Sequence, residues 1–209
     1  MKRESLKLYV VTDRSWLNGE SLRDQVEKAL RGGASFVQLR EKNLDRERFL
    51  AEAVELRSLC RQYQVPFVVN DNVEIARLCD ADGVHIGQED MALSEARKML
   101  GAGKIIGVTC KTVEEALKAQ ADGADYIGSG AMFQSTAKPG AKPITVERLR
   151  EICAAVSIPV VAIGGITREN VTRLRDTGIA GVAVVSAVFQ QKDIEQAARA
   201  LFETVTQLF

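Results

Sequence analysis

The stretch FVQLREKNLDRERFLAEAVELRSLCRQYQVPFVV, residues 36–69, decides the fold. It begins and ends in short apolar, β-branched runs, FVQL at 36–39 and PFVV at 66–69, with a longer, more polar segment between them. Within RERFLAEAVELRSLCRQYQ the apolar residues recur at three- and four-residue spacing. Phe49, Leu50, Ala53, Val54, Leu56 and Leu59 fall on one side, and Arg and Glu cover the other. This is an amphipathic helix joining two buried strands. Strands joined through a helix run parallel, with a right-handed crossover.

The same unit repeats on both sides. Further strand candidates are LYVV at 8–11, GVHI at 83–86, IIGV at 105–108, YIG at 126–128, VVAI at 160–163 and VAVV at 182–185. Gly32, Gly33, Gly101, Gly103 and Gly123 follow the intervening helical stretches as stop signals. Thr145 and Thr167 precede acidic residues where a hydroxyl can cap a helix start. Eight such units in 209 residues predict an α/β fold, a compact (β/α)₈ TIM barrel closed by the helix DIEQAARALFETVTQLF. A doubly wound open sheet is the alternative, but no GxGxxG follows the first strand. No linker or low-complexity tract interrupts residues 1–209, so one domain is expected.

Charge and cysteine usage narrow the function. With 28 basic and 28 acidic side chains the chain lacks the cationic surplus of a general nucleic-acid binder. No apolar run approaches the ~20 residues of a membrane-spanning helix. LYVV meets Asp13 too soon for a signal peptide, so a soluble, cytoplasmic protein is expected. Cys60, Cys79, Cys110 and Cys153 are scattered and accompanied by one histidine, which supplies neither a zinc site nor a disulfide framework. Three of the thiols sit in helical contexts as small core hydrophobes, and Cys110 follows a strand end.

In a (β/α)₈ barrel the reacting groups sit where strands emerge at the C-terminal face. The second strand ends in VQLREK, and alternation puts Gln38, Arg40 and Lys42 on one side of an extended chain, suited to an anionic ligand. Surface ion pairs with Glu41 or Asp45 would explain the two cations equally well. The third strand exits through Asn70 and Asp71, and the fourth through His85, Gln88 and Asp90. Two carboxylates on neighbouring exits beside basic residues fit one Mg²⁺ held by few protein ligands. Each aspartate alone could instead cap the helix that follows it. His85 is either a hydrogen-bonded core residue or a contact to the ligand.

The remaining exits carry more donors. Thr109 ends the fifth strand and either donates to a ligand or caps the next helix. After the sixth strand, YIGSGAMFQSTAKPGAKP offers Gly128 and Gly130, then Ser135, Thr136 and Lys138, with Lys138 placed as a phosphate ligand on a long loop. The loops after strands seven and eight, with Gly164, Gly165 and Ser186, fall at the habitual phosphate site of such barrels. The first cluster is too large for a monophosphate, and a second, with Gly165, Val185 and Ser186, suits one phosphate. The residues thus point to Mg²⁺-dependent transfer of a group from a diphosphate ester to a phosphate-bearing acceptor.

The ordered set LYVVTD, VQLREK, NDN, DGVHIGQED, GADYIGSGAMF, AIGGI and VVS, from Tyr9 to Ser186, resembles the thiamine phosphate synthase family. The resemblance implies condensation of 4-amino-2-methyl-5-hydroxymethylpyrimidine diphosphate with a thiazole ethyl phosphate, releasing pyrophosphate. It implies that Gln38, Leu39, Arg40, Glu41, Lys42, Asn70, Thr109 and Lys138 bind the pyrimidine diphosphate and that Asp71 and Asp90 hold Mg²⁺. Ser135, Thr136 and Ala137, with Gly165, Val185 and Ser186, would receive the thiazole phosphate. Among these, Arg40, Lys42, Lys138 and Thr109 are the expected catalytic groups, in a dissociative reaction needing charge stabilisers rather than a nucleophile. The chain departs from the family at Thr109, usually serine, at Cys110-Lys111, and at QSTAK in place of PTxTK. Two alternatives share the barrel, a thiazole tautomerase and a non-catalytic sensor of thiamine precursors. The expected partners are small molecules, alone or with a second copy of the chain in a homo-oligomer.

Overall fold

The computed structural model describes residues 1–134 and 143–209. Eight strands form its centre: β1 (Leu8–Val11), β2 (Phe36–Leu39), β3 (Phe67–Asn70), β4 (Gly83–Ile86), β5 (Ile105–Thr109), β6 (Tyr126–Gly130), β7 (Val160–Ile163) and β8 (Gly181–Val184). Each pairs in parallel with the next, and β8 pairs with β1, so the sheet is a closed barrel. Closure removes both edges and overturns the open-sheet alternative. The strand predicted at 182–185 lies one residue earlier, and Val185 stands outside it with φ −120° and ψ −82°.

Helices α1 (Leu22–Arg31), α2 (Arg46–Gln62), α3 (Val73–Leu78), α4 (Leu93–Leu100), α5 (Val113–Ala121), α6 (Val146–Ala155), α7 (Ser186–Phe189) and α8 (Ile194–Leu208) accompany the strands. Ser21, Asp45, Asn72, Thr112, Thr145 and Asp193 each accept a first-turn amide and so fix where a helix begins. Each such cap contributes about 1 kcal/mol. None of these helices is long and apolar enough to cross a membrane.

The structure departs from two expectations. On α2, Phe49, Ala53, Leu56 and Leu59 are buried as predicted, but Val54 is 49% exposed. At ~100° per residue it falls beyond the stripe that faces the barrel. Thr167 caps no α-helix. Its amide donates to Asn170 Oδ1, the Asn170 amide side chain donates to the Gly165 carbonyl, and only a 3₁₀ turn, Val171–Leu174, follows. The asparagine satisfies the backbone in a turn and so competes with helix formation.

The core has two parts. Outward-facing strand residues pack under the helices, while Tyr9, Val11, Phe36, Val68, Tyr126, Val161 and Ala183 fill the barrel. Tyr9 and Tyr126 stack around Phe36, with ring centroids 4.6 and 5.6 Å from it. Gly107 makes this possible, because a Cβ there would come 2.1 Å from Tyr126 Cζ. These rings form a solid floor beneath the C-terminal mouth.

Candidate active site

A cavity of about 190 Å³ opens above that floor. Its lining includes Gln38, Arg40, Asn70, His85, Thr109, Gly165, Val185 and Ser186, all expected from the sequence. Parallel register brings them together: Gln38 lies opposite Val11 and Val68, and Asn70 opposite His85.

The run after β2 divides by side. Gln38 is 4% exposed, and its Nε2 donates to the Tyr9 hydroxyl. The Arg40 amide donates to the buried Thr12 hydroxyl at 3.0 Å, which anchors the turn and leaves the guanidinium on the cavity wall. Lys42 is exposed, and its charge acts on Asp71. Leu39 faces the helices, in the outer core. Glu41 accepts from Arg14, not from Arg40 or Lys42, so the ion-pair alternative does not account for the two cations. Neither Leu39 nor Glu41 lines the cavity.

Neither aspartate caps a helix. Asn72 caps α3, and Ala92, which has no side-chain cap bond, precedes α4. Asp71 has φ +61°, and its amide donates to the His85 carbonyl at 2.8 Å. Asp90 Oδ2 accepts from the Gly87 amide at 2.6 Å. The two carboxylates act on one another. Desolvation, then the side chain and charge of Asp90, push the Asp71 carboxyl up to about 6. A divalent cation would relieve that repulsion. Among the described residues no three His, Cys, Asp or Glu side chains cluster as a metal site. The donor set therefore fits an ion that keeps water or substrate oxygens as most of its ligands, as Mg²⁺ does.

His85 is a hydrogen-bonded core residue that also lines the cavity. It is 8% exposed, its Nδ1 lies 2.9 Å from the Tyr126 hydroxyl, and its Nε2 lies 2.9 Å from Thr109 Oγ1. Burial holds its pKa down to about 4, so the ring is neutral at physiological pH. Thr109 thus bonds to His85 and caps no helix, a task performed by Thr112. Gln88 donates to the Thr109 carbonyl at 2.6 Å and ties the two loops together. Cys110 is fully buried, which pushes its thiol up to about 12 and makes it inert.

Across the barrel from β3, the backbone at Gly165 (φ +62°) leaves no room for a side chain, since a Cβ would lie 2.2 Å from the Gln134 carbonyl oxygen. The loops after β6 and β7 are therefore pressed together there. Ser186 opens α7 beside Val185. Ser135, Thr136, Ala137 and Lys138 lie outside the described residues. Sequence reasoning missed Tyr9, Tyr126 and Lys111. Tyr9 and Lys111 line the cavity, and Tyr126 braces His85 from below. The available signal was that Tyr9 interrupts the apolar run of β1 and Tyr126 opens β6, both at inward-facing positions.

Comparison with known proteins identifies the family. The family model described as thiamine monophosphate synthase (TMP-TENI) matches residues 8–188. The thiamine-phosphate synthase of Ruminiclostridium cellulolyticum is 46% identical over 196 residues, covering 94% of this chain and 93% of that one. Thiamine-phosphate synthase 2 of Streptococcus pneumoniae is 46% identical over 203 residues, 97% of each chain. The solved structure of thiamine phosphate pyrophosphorylase from Pyrococcus furiosus superposes with a TM-score of 0.91 at 40% identity, covering 99% and 98% of the two chains. Sequence and barrel agree, and the chain belongs to the thiamine-phosphate synthase family, transferases of thiamine biosynthesis.

Proposed function

We propose that the chain joins 4-amino-2-methyl-5-hydroxymethylpyrimidine diphosphate to 4-methyl-5-(2-phosphoethyl)thiazole, or to its carboxylated tautomer, giving thiamine phosphate and pyrophosphate, with the carboxyl group of the second acceptor leaving as carbon dioxide. The observation that carries this reading is the pairing of two anion-binding regions around one cavity. Arg40 lines it on the β2 side and Gly165, Val185 and Ser186 line it on the β7–β8 arc, while Lys42, Asp71 and Asp90 stand at the β2–β4 exits outside the lining itself.

In this reaction the methylene–oxygen bond breaks and its electron pair leaves with pyrophosphate. The aminopyrimidine ring stabilises the methylene cation, and the thiazole nitrogen lone pair then forms the new carbon–nitrogen bond. Arg40, Lys42 and Lys138 hold the diphosphate and take up charge as it departs. Thr109 donates to it, and Asn70 orients it. Asp71 and Asp90 would hold Mg²⁺, whose chemistry is to neutralise the leaving pyrophosphate. Gly165 and Ser186 seat the acceptor phosphate, which fixes the distance between nitrogen and carbon. A dissociative route needs no nucleophile–base pair, so the Thr109 hydroxyl beside the His85 ring serves as a hydrogen-bond donor and not as a nucleophile.

The test is pyrophosphate release and thiamine phosphate formation from the two substrates with Mg²⁺, each omitted in turn. Product only with all three supports the reading. A folded protein that binds both phosphates without turnover refutes it.

A further inference from the structure

Beneath the cavity runs a continuous chain of buried hydrogen bonds. Gln38 Nε2 donates to the Tyr9 hydroxyl, which lies 2.8 Å from the Tyr126 hydroxyl. Tyr126 reaches His85 Nδ1 at 2.9 Å, and His85 Nε2 reaches Thr109 Oγ1 at 2.9 Å. Five strands contribute: β1, β2, β4 and β6 meet in the barrel, and β5 carries the last hydroxyl. The two tyrosines are 1% and 0% exposed, so no solvent intervenes.

Counting protons gives this chain a direction. An amide nitrogen only donates, so Gln38 occupies a lone pair of Tyr9. Each phenol has one proton, and among the described residues each has only its two partners in the chain. The Tyr9 proton therefore goes to Tyr126, and the Tyr126 proton to His85 Nδ1. A neutral imidazole then carries its proton on Nε2, which donates to Thr109. Thr109 has its oxygen engaged from below and its own proton turned to the cavity that it lines. With the Gln38 amide turned the other way, every link would reverse, and Thr109 would spend its proton on His85.

We propose that Gln38, Tyr9, Tyr126 and His85 are positioning residues that together make Thr109 an obligate hydrogen-bond donor to an anionic oxygen of the substrate. That the oxygen belongs to the departing diphosphate rests on the function proposed above. The direction of the chain does not. Its value to the reaction is that the donor is set before the substrate arrives, so no reorientation is needed as charge develops.

The chain contains a single histidine, so its imidazole can be read without assignment. The experiment is two-bond ¹H–¹⁵N correlation NMR of the full chain labelled with ¹⁵N-histidine at neutral pH, without substrates. One neutral tautomer with the proton on Nε2 is expected. Tyr126→Phe keeps the ring but removes the donor to Nδ1. It should give mixed tautomers and roughly tenfold lower kcat, with KM for the diphosphate nearly unchanged. A proton on Nδ1 in the unsubstituted chain overturns the proposal, as does an unchanged Nε2–H signal in Tyr126→Phe. Should that variant not fold, the tautomer of the unsubstituted chain still decides. An Nε2 proton in a protein that makes no thiamine phosphate would sink the functional reading and leave the chain's polarity standing.

Discussion

Glu41 stands between Arg40 and Lys42 in sequence, yet it gives its carboxylate to Arg14 Nε at 2.7 Å, outside the cavity lining. Strand alternation explains the division. Arg40 points into the cavity, and the residue after it points to the barrel's outer side, where Arg14 also binds Glu52. An acidic residue can therefore sit within a cationic run without cancelling it.

That placement predicts a pH effect on stability. Desolvation raises the Glu41 carboxyl from an ordinary 4.5 to about 7, against the pull of Arg14, and the neighbouring Glu52 adds to the rise. A raised acid pKa means that the folded chain holds a proton the unfolded chain has lost. Its contribution to stability is complete below about pH 4.5 and is lost as pH rises through about 7. Urea-denaturation midpoints at pH 5 and pH 8 should fall further in the unsubstituted chain than in Glu41→Gln. An equal fall in the two would mean that Glu41 is ionised throughout.

Asp71→Asn and Asp90→Asn should lose turnover far more than folding. Asparagine tolerates the left-handed backbone at position 71, so the first variant adds little strain there. Even outer-shell partners of a metal are worth about 10–100-fold, so each carboxylate should cost at least that in kcat. Pyrophosphate release across a Mg²⁺ titration measures the loss, and the denaturation midpoint serves as the control. Wild-type turnover at limiting Mg²⁺ in either variant would remove that residue from the metal site.

The barrel was legible because parallel strands buried on both faces read as apolar runs, and all eight lie within two residues of their predicted ends. The connection from β7 to β8 was not, since Asn170 diverts Thr167 into a turn through contacts that no periodicity encodes. The cavity residues were legible wherever polarity broke a strand's exit, as at Gln38, Asn70 and Thr109. Tyr9 and Tyr126 were not. Their hydroxyls meet across 117 residues of sequence, and each ring alone resembles ordinary core.

Lys111 follows Thr109 by two residues and lines the same cavity. Its side chain is exposed, so its charge acts through solvent and should be modest and screened by salt. Lys111→Ala is expected to raise KM for the pyrimidine diphosphate about two- to fivefold at low ionic strength, with kcat almost unchanged. At high salt the difference should vanish. A fall in kcat that persists at high salt would instead place the ammonium on the reacting groups.

Gly165 offers the sharpest separation between the two substrates. Alanine there must adopt a positive φ and bring its Cβ against the Gln134 carbonyl, so the loops after β6 and β7 must part. Strain of about 1–3 kcal/mol is expected, read as a lower denaturation midpoint. Because β7 and β8 lie across the barrel from the Asp71–Asp90 pair, the damage should fall more heavily on one substrate. KM for the thiazole phosphate should rise about tenfold or more, and KM for the pyrimidine diphosphate, which Lys138 of the loop after β6 also holds in the proposed reaction, should rise distinctly less. Equal increases in both constants would show that the Gly165 loop serves the whole mouth and not the acceptor phosphate alone.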